Sequence, residues 1–356
     1  MPRGRFWTYF ILSTTIDEAS LSLDYSHSWG APLGQAMIRF QPEDFVVHER
    51  FDDQLSGEGD HLYLHIRKRN QNTAWVAEGL AGLLGVEPRD VGYCGLKDRR
   101  ALTSQWFSVR VLGQNADQLA TQWAAGKTLL PDCQLLAWSR HRRKLRRGAH
   151  QGNDFVITLR QLNVPYQAFQ ERLAIIRDQG VPNYFGEQRF GRQGANLREA
   201  NRLLARSRAR NGREGRAGGK GRGTGGKEGL YLSAARSHLF NMVLSARVRD
   251  GSWRTPGQDE RTATGPLWGR GRPPINPVLQ QWEREILAPY EVWCHALEHR
   301  GLKQERRPLV LNPDAFTWHW QGADIQLNFT LPPGAYATAV LRELVFTRGP
   351  HDDPML

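Results

Sequence analysis

The sequence predicts an α/β (α+β) protein with two domains, and three observations lead to that prediction. A chain of 356 residues is long enough to form two domains, each with a core of its own. Strand-like alternation at 61–67 gives way to helical spacing at 73–84, and strands and helices continue to alternate through the first half. Strand patterning returns at 308–312, 316–320 and 324–331. The C-terminal part is therefore expected to rejoin the first sheet.

The first half of the chain supplies most of the predicted strands. Residues 1–33 show no clear periodicity and are interpreted as a loosely attached extension. The helix at 73–84 has a capping residue, Asn72 or Thr73, at its start and Gly85 at its end. The other elements predicted here are strands at 36–40, 45–49, 91–93, 105–111, 134–138 and 153–160, and helices at 116–125 and 166–179.

The second half is mainly helical until the final strands. A helix is predicted to begin at Asn196, with Glu199 completing a capping box. Residues 207–229 contain nine glycines, seven Lys or Arg and two Glu, so this segment is expected to be mobile. Helices are predicted from 230, at 278–287 and 291–299, and finally at 336–346.

The composition favours a protein with a polyanionic partner. Lys and Arg total 48 against 36 Asp and Glu, which gives a formal charge of +12 and a pI near 10.0. That excess suits nucleic acid, although a basic pI alone also fits a merely soluble protein. Cys94, Cys133 and Cys294 are widely separated and indicate neither a disulfide framework nor a CxxC site. No apolar run has the length of a membrane span, so we expect a cytoplasmic protein.

Residues 91–105 hold the first candidate for chemistry. A short strand leads into a loop that presents Lys97, Asp98, Arg99 and Arg100, and strand alternation resumes at Gln105. Rigid flanks hold such a carboxylate while leaving it free to meet a ligand, and the neighbouring cations attract anionic substrates. A solvated charged turn is the alternative interpretation.

A strongly basic run follows at 140–147, where six Lys or Arg occupy eight positions. It is either a solvated basic face or a site for RNA phosphates. The residues proposed for phosphate contact are Arg142, Arg143, Lys144, Arg146 and Arg147.

The stretch GLKDRRALTSQW at 95–106 resembles the signature of the TruD family of tRNA pseudouridine synthases, whose nucleophilic aspartate corresponds to Asp98. Four further motifs resemble the family in the same order: PEDF at 42–45, GNDF at 152–155, PNYFGEQRFG at 182–191 and LPPGAYAT at 331–338. The resemblance extends from about residue 37 to residue 346. Five ordered motifs are a much stronger signal than any single one.

The resemblance implies a discontinuous catalytic domain and an inserted domain. Residues 1–179 and 312–356 are expected to form the pseudouridine-synthase domain, with a mixed, mostly antiparallel sheet. Residues 180–311 are expected to form the inserted TRUD α/β domain, which includes the glycine-rich segment.

The resemblance also implies a set of site residues. Asp98 is the catalytic carboxylate, Arg39 is expected to pair with it, and Phe155 is expected to stack on the target base. Relatives often carry Phe where this chain has Tyr336, which leaves the role of the hydroxyl open. The full set of expected substrate-binding residues is Arg39, Phe45, Lys97, Asn153, Phe155 and Tyr336.

The implied reaction converts uridine thirteen in the tRNA D-arm to pseudouridine. It is an isomerisation without redox change, so we expect no cofactor and no metal. The expected partner is tRNA, and we expect a monomer with no obligate protein partner and no membrane association.

Two other functions are considered. One is a catalytically silent RNA-binding module, which an intact Asp98 motif disfavours. The other is a metallohydrolase that uses His295 and His299, which lie in an HxxEH match one helical turn apart. The GxGxxG match at 221–226 lies in low complexity without a preceding strand and is rejected as a dinucleotide site.

Overall fold

The computed structural model describes residues 16–52, 54–112, 115–211, 226–273 and 275–350. The chain divides into two compact units. The sheet unit comprises Trp29–Val181 and Leu311–Leu356, and the helical unit comprises Met1–Ser28 and Pro182–Val310.

The described residues form fourteen strands and eight α-helices. The strands are β1 Gln35–Met37, β2 Phe45–Arg50, β3 His61–Arg69, β4 Val91–Tyr93, β5 Leu102–Arg110, β6 Cys133–His141, β7 Gly152–Asn163, β8 Val181–Pro182, β9 Thr264–Leu267, β10 Glu305–Pro308, β11 Val310–Leu311, β12 Asp314–Gln321, β13 Asp324–Leu331 and β14 Phe346–Arg348. The helices are α1 Thr73–Leu84, α2 Asn115–Ala124, α3 Tyr166–Gln179, α4 Ala195–Asn211, α5 Lys227–Arg249, α6 Pro277–Ile286, α7 Glu291–Glu298 and α8 Ala337–Leu341.

One ten-stranded sheet organises the sheet unit. Its main order is β12-β13-β7-β2-β5-β3-β6, while β1 pairs with β7 and β14, and β4 pairs with β5. Within this sheet the β2–β5 and β1–β14 pairs are parallel, and the other pairs between its described strands are antiparallel. The predicted fold class, with a mixed and mostly antiparallel sheet, is therefore confirmed, and strands 312–331 do rejoin the first sheet.

The register of three central strands brings separate motifs together. Glu49 of β2 pairs with Asn153 of β7, and Asn153 pairs with Leu331 of β13. Three stretches that are far apart in sequence thus meet in one row across the sheet.

Local signals in the sequence fix α1 as predicted. The side chain of Asn72 accepts a hydrogen bond of 2.8 Å from the backbone N–H of Ala74, which satisfies an otherwise unpaired donor. Gly85 follows with φ +65°, a left-handed conformation that glycine adopts without strain. The apolar stripe of α1, including Val76 and Leu80, packs on the sheet core.

Two helix predictions need correction. The final helix was predicted over 336–346, but α8 ends at Leu341 and Phe346 begins β14, where it pairs with Gln35 of β1. Pairing with a distant strand outweighs the local helical spacing there. Asn196 was predicted to cap α4, but it lies inside that helix, and its Nδ2 donates to the Arg189 carbonyl at 3.2 Å.

The glycine-rich segment lies largely outside the described residues, namely at 212–225. Its two ends are described, and they are helical: residues 207–211 belong to α4 and residues 227–229 to α5. Helix α5 therefore begins earlier than the predicted position 230.

Residues 16–28 belong to the helical unit, whereas the prediction assigned residues 1–179 to the catalytic domain. Asn201 of α4 accepts a hydrogen bond from the Ile16 N–H at 3.0 Å and donates to the Ile16 carbonyl at 2.9 Å. Tyr25 stacks on Tyr184 with a centroid distance of 5.4 Å. These contacts hold residues 16–28 in the helical unit, although the sequence there shows no clear periodicity.

Two long helices, α4 and α5, pack together in the helical unit, and β9 pairs with β10 beside them. His238 of α5 is fully buried, and burial lowers its pKa to about 4.

None of the helices in the described ranges has the length and apolar character needed to cross a membrane.

Candidate active site

Residues 95–101 of the loop between β4 and β5 include Asp98, and four of their backbone groups form hydrogen bonds with residues outside the loop. These bonds are Gln105 Nε2 to the Gly95 carbonyl at 3.1 Å, the Lys97 N–H to Thr73 Oγ1 at 3.0 Å, Lys68 Nζ to the Asp98 carbonyl at 3.1 Å, and the Asn70 N–H to the Ala101 carbonyl at 3.1 Å. A loop fixed at four backbone positions can present a side chain with little conformational cost.

The carboxylate of Asp98 pairs with Arg39, as predicted. The Arg39 Nη2 and Asp98 Oδ1 atoms are 3.3 Å apart, and the two side chains are 20% and 32% exposed. The pair is therefore open to a ligand from one side.

Arg39 is itself held in a particular conformation. Its φ of +56° is uncommon for a residue with a side chain and stores local strain. Its Cζ lies 4.0 Å from the ring centroid of Phe45, a cation–π geometry. Phe45 was predicted to bind substrate, but it is 1% exposed and lies against the Arg39 guanidinium. It supports the charged pair directly.

Lys97 points into the protein. Its side chain is 5% exposed, its Nζ lies 2.8 Å from Glu49 Oε2, and it donates to Asn153 Oδ1 at 2.6 Å. Glu49 is fully buried, and its other oxygen accepts the Trp106 N–H at 3.0 Å. Lys97 and Asn153 were both predicted to bind substrate; in the structure they lie together with a buried carboxylate beside the Asp98 loop.

Cys94 and His150 lie next to this buried ion pair. One potential ligand atom from each of Glu49, Cys94 and His150 lies within 4.8 Å of the others. Burial raises the pKa of the Cys94 thiol to about 12, and burial together with Lys97 lowers the pKa of His150. The Lys97 ammonium supplies the positive charge that Glu49 needs, so the group fits an internal ion pair better than a metal site.

Phe155 is part of the core. It is 7% exposed, stacks on Phe329 with a centroid distance of 5.4 Å, and meets Phe45 edge-on at 6.2 Å. One face of its ring is therefore occupied, and base stacking requires the other. Tyr336, the residue before α8, is half-buried and follows the Leu331 end of β13 that lies beside Asn153.

A cavity of about 360 Å³ opens beside Arg39. Its described lining residues are Arg39, Phe40, Pro42, Asn70, Arg99, Arg100 and Pro350. Three of these described residues carry a guanidinium group and none carries a carboxylate, so this cavity favours an anionic group such as a phosphate.

The basic run after β6 is anchored at one buried residue. Leu145 is 3% exposed, and its N–H donates to Ser108 Oγ at 2.9 Å. A Cβ on Gly92 would lie 2.5 Å from the Leu145 carbonyl, so only glycine permits this approach. The five residues proposed for phosphate contact are all exposed: Arg142, Arg143, Lys144, Arg146 and Arg147. Three of them also have local contacts: Arg142 with Glu58, Lys144 with the Arg89 carbonyl, and Arg147 with the ring of Tyr93, at 5.9 Å from the ring centroid.

The two histidines of the HxxEH match lie at the end of α7. His299 Nδ1 lies 2.8 Å from the His295 carbonyl, within hydrogen-bonding distance, and Glu298 accepts the Trp268 indole N–H at 3.0 Å. In the part of the chain that the structure describes, neither histidine belongs to a group of three potential metal ligands.

Comparison with known proteins gives the family. Residues 27–211 and 254–344 match the family profile described as tRNA pseudouridine synthase D (TruD). The chain is 47% identical to the tRNA pseudouridine synthase D of Cellvibrio japonicus (strain Ueda107), over 92% of this chain and 94% of that one. It is 41% identical to the protein of the same name from Nitrosococcus oceani, over 91% and 94%.

A solved structure supports the same fold. The crystal structure of a Methanosarcina mazei protein assigned to tRNA pseudouridine synthase D superposes with a TM-score of 0.61, covering 92% of this chain and 96% of that one, at 21% identity. The chain belongs to the tRNA pseudouridine synthase D (TruD) family, which confirms the resemblance found in its motifs.

Sequence reasoning did not assign roles to several residues that build the site. Glu49 and Lys68 are buried charged residues, and Thr73 and Gln105 are buried polar residues that link α1 to the Asp98 loop. For Glu49, the strand periodicity of the sequence could have indicated its role. Glu49 continues the buried face of Phe45 and Val47, where a charged residue needs an internal partner.

Proposed function

We propose that this protein is a tRNA pseudouridine synthase that isomerises uridine 13 of the D-arm, with Asp98 as the catalytic carboxylate. The observation that carries the proposal is the open Arg39–Asp98 pair on a firmly held loop, in a chain that belongs to the TruD family. The names of the relatives support tRNA as the substrate, and the family resemblance supports uridine 13.

The reaction rearranges bonds within one nucleoside. The bond between C1′ and N1 breaks, the uracil turns, and C1′ bonds to C5; C5 loses a proton and N1 gains one. A carboxylate can attack C1′, attack the ring, or remove a proton from the sugar, and Asp98 is suited to each of these steps. Because atoms and electrons balance within the substrate, the proposal includes no cofactor and no metal.

Arg39 would orient the Asp98 carboxylate and remain close to the reacting nucleoside. The neighbouring cavity with Arg99 and Arg100 would accept an RNA phosphate near the target. Asn153, Phe155 and Tyr336 are proposed around the base by family resemblance. For Phe155 this requires that the base meet the ring face that Phe329 leaves unoccupied.

The sheet unit would be the catalytic domain and the helical unit the inserted domain. The exposed basic run of the sheet unit would contact RNA phosphates. It would increase the affinity for tRNA but would not determine which uridine is modified. We further propose a monomeric cytoplasmic enzyme without an obligate protein partner.

The test compares Asp98→Asn with Asp178→Asn. Asp178 also pairs with an arginine, at 2.7 Å from Arg177 Nε, but this pair lies on the exposed surface of α3. Asp98→Asn should abolish pseudouridine formation and leave tRNA affinity within a few-fold, because only the reacting charge is lost. Asp178→Asn should behave as wild type. An Asp98→Asn enzyme that keeps more than about a tenth of the wild-type rate would rule out Asp98 as the catalytic carboxylate.

A further inference from the structure

Lys68 occupies an unusual position for a lysine. It lies on β3 after Leu62, Leu64 and Ile66, which form the buried face of that strand, and all four residues are 0% exposed. Lysine is rarely buried to this extent without a partner of opposite charge. Its neighbours across the sheet are Thr103 of β5 and Cys133 of β6.

Both hydrogen-bond acceptors of the Lys68 ammonium are main-chain carbonyl groups. Lys68 Nζ donates to the Gln71 carbonyl at 2.6 Å and to the Asp98 carbonyl at 3.1 Å. Burial lowers the pKa of Lys68 to about 8. The charges of Asp98 and Cys133 act in the opposite direction, and the charge of Lys97 adds to the lowering.

A group in this environment opposes folding while it is charged, because its hydration is lost and, among the described residues, two carbonyl oxygens replace it. An apolar side chain of similar length would fill the same space without that loss. The contact with Asp98 suggests why a lysine stands here. The ammonium links the end of β3 to the peptide group that follows the Asp98 Cα, and the orientation of this group helps to direct the Asp98 side chain towards Arg39.

We propose that Lys68 is a positioning residue for the isomerisation. By holding the Asp98 carbonyl, its ammonium fixes the backbone of the catalytic residue, so that the carboxylate meets Arg39 and the target nucleoside in a productive geometry. The inference rests on the proposed role of Asp98. It adds a charged residue that touches neither substrate nor reacting atoms.

The experiment uses the full chain with Lys68→Met, and with Lys127→Met as a matched control. Lys127 is an exposed lysine whose Nζ donates to Gln122 at 2.8 Å. The measurements are the single-turnover rate with saturating tRNA, the tRNA dissociation constant and the urea midpoint of unfolding. Lys68→Met should lower the rate by about 10- to 100-fold, the effect of a small misplacement of a reacting group. Its tRNA affinity should stay within about twofold, and its urea midpoint should not fall. Lys127→Met should match wild type in all three.

The dependence of rate on pH separates positioning from general support of the fold. The wild-type rate should fall as the pH rises past about 8, where Lys68 loses its proton, and Lys68→Met should lack this part of the profile. Lys68→Arg keeps a permanent cation, so it should be faster than Lys68→Met and should retain its rate at high pH. It also serves as the second variant if Lys68→Met folds poorly.

Three results would overturn the inference. A Lys68→Met rate within about twofold of wild type, with Asp98→Asn inactive, would show that Asp98 needs no such support. A slower Lys68→Met with a lowered urea midpoint, an unchanged pH profile and no rescue by Lys68→Arg would make Lys68 merely structural. An active Asp98→Asn would instead remove the proposed function on which the inference depends, and the parallel assay identifies that case.

Discussion

Breaking the buried pair between Glu49 and Lys97 by removing one of its charges should strongly destabilise the sheet unit, and Glu49→Gln tests this. The two side chains are 0% and 5% exposed, and their charged atoms are 2.8 Å apart. Glutamine keeps the shape and an oxygen for the Trp106 N–H, but it leaves the Lys97 ammonium with only the Asn153 oxygen. Removing one partner of a buried pair costs about 3–5 kcal/mol, since the other charge stays buried without compensation.

The assay is urea unfolding followed by tryptophan fluorescence, and Glu58→Gln serves as the control. Glu58 pairs with Arg142, but these side chains are 63% and 70% exposed, so its loss should produce no measurable change. The double variant Glu49→Gln with Lys97→Met removes both charges and should recover much of the lost stability. A Glu49→Gln protein whose free energy of unfolding stays within about 1 kcal/mol of wild type would show that the Lys97 ammonium is not left buried without compensation.

Three further outcomes are expected. Arg39→Met should slow isomerisation more than Arg39→Lys, since lysine can still pair with the Asp98 carboxylate; equal rates for the two variants would contradict this role. Activity should survive exhaustive chelation, and it should also survive the replacement of His295 and His299. Activity that is lost on chelation and restored by zinc would contradict this expectation. Replacing Arg146 and Arg147 by Ala should reduce the slope of log affinity against log salt by about 0.7–0.9 for each RNA phosphate that is no longer neutralised, without changing which uridine is modified. An unchanged slope would show that these two residues do not reach RNA.

The sequence predicted elements well where local signals agree. Helix α1 has its capping residue at Asn72, its apolar stripe and its terminal Gly85, so its bounds could be predicted from the chain itself. Strands β3 and β7 show clear alternation over their buried faces. The end of the chain was harder, because residues 342–346 have helical spacing but β14 forms through pairing with β1, which is distant in sequence.

The candidate site was predicted in part. The motifs identified Asp98 and its pairing with Arg39. They did not distinguish residues that face a substrate from residues that hold those residues in place. Lys97 carries a charge in a loop motif, which suggested an exposed ligand-binding group, but its partner Glu49 lies 48 residues away on strand β2. Burial and pairing of that kind depend on tertiary register, which periodicity does not specify.

The proposed modification of uridine 13 can be tested by mapping pseudouridine in tRNA treated with the purified protein. Two unmodified tRNA transcripts would be used, one with uridine at position 13 and one with cytidine there. We expect pseudouridine at position 13 of the first transcript, none in the second, and none in either with Asp98→Asn. Pseudouridine at another position, or equal modification by Asp98→Asn, would contradict the proposed function.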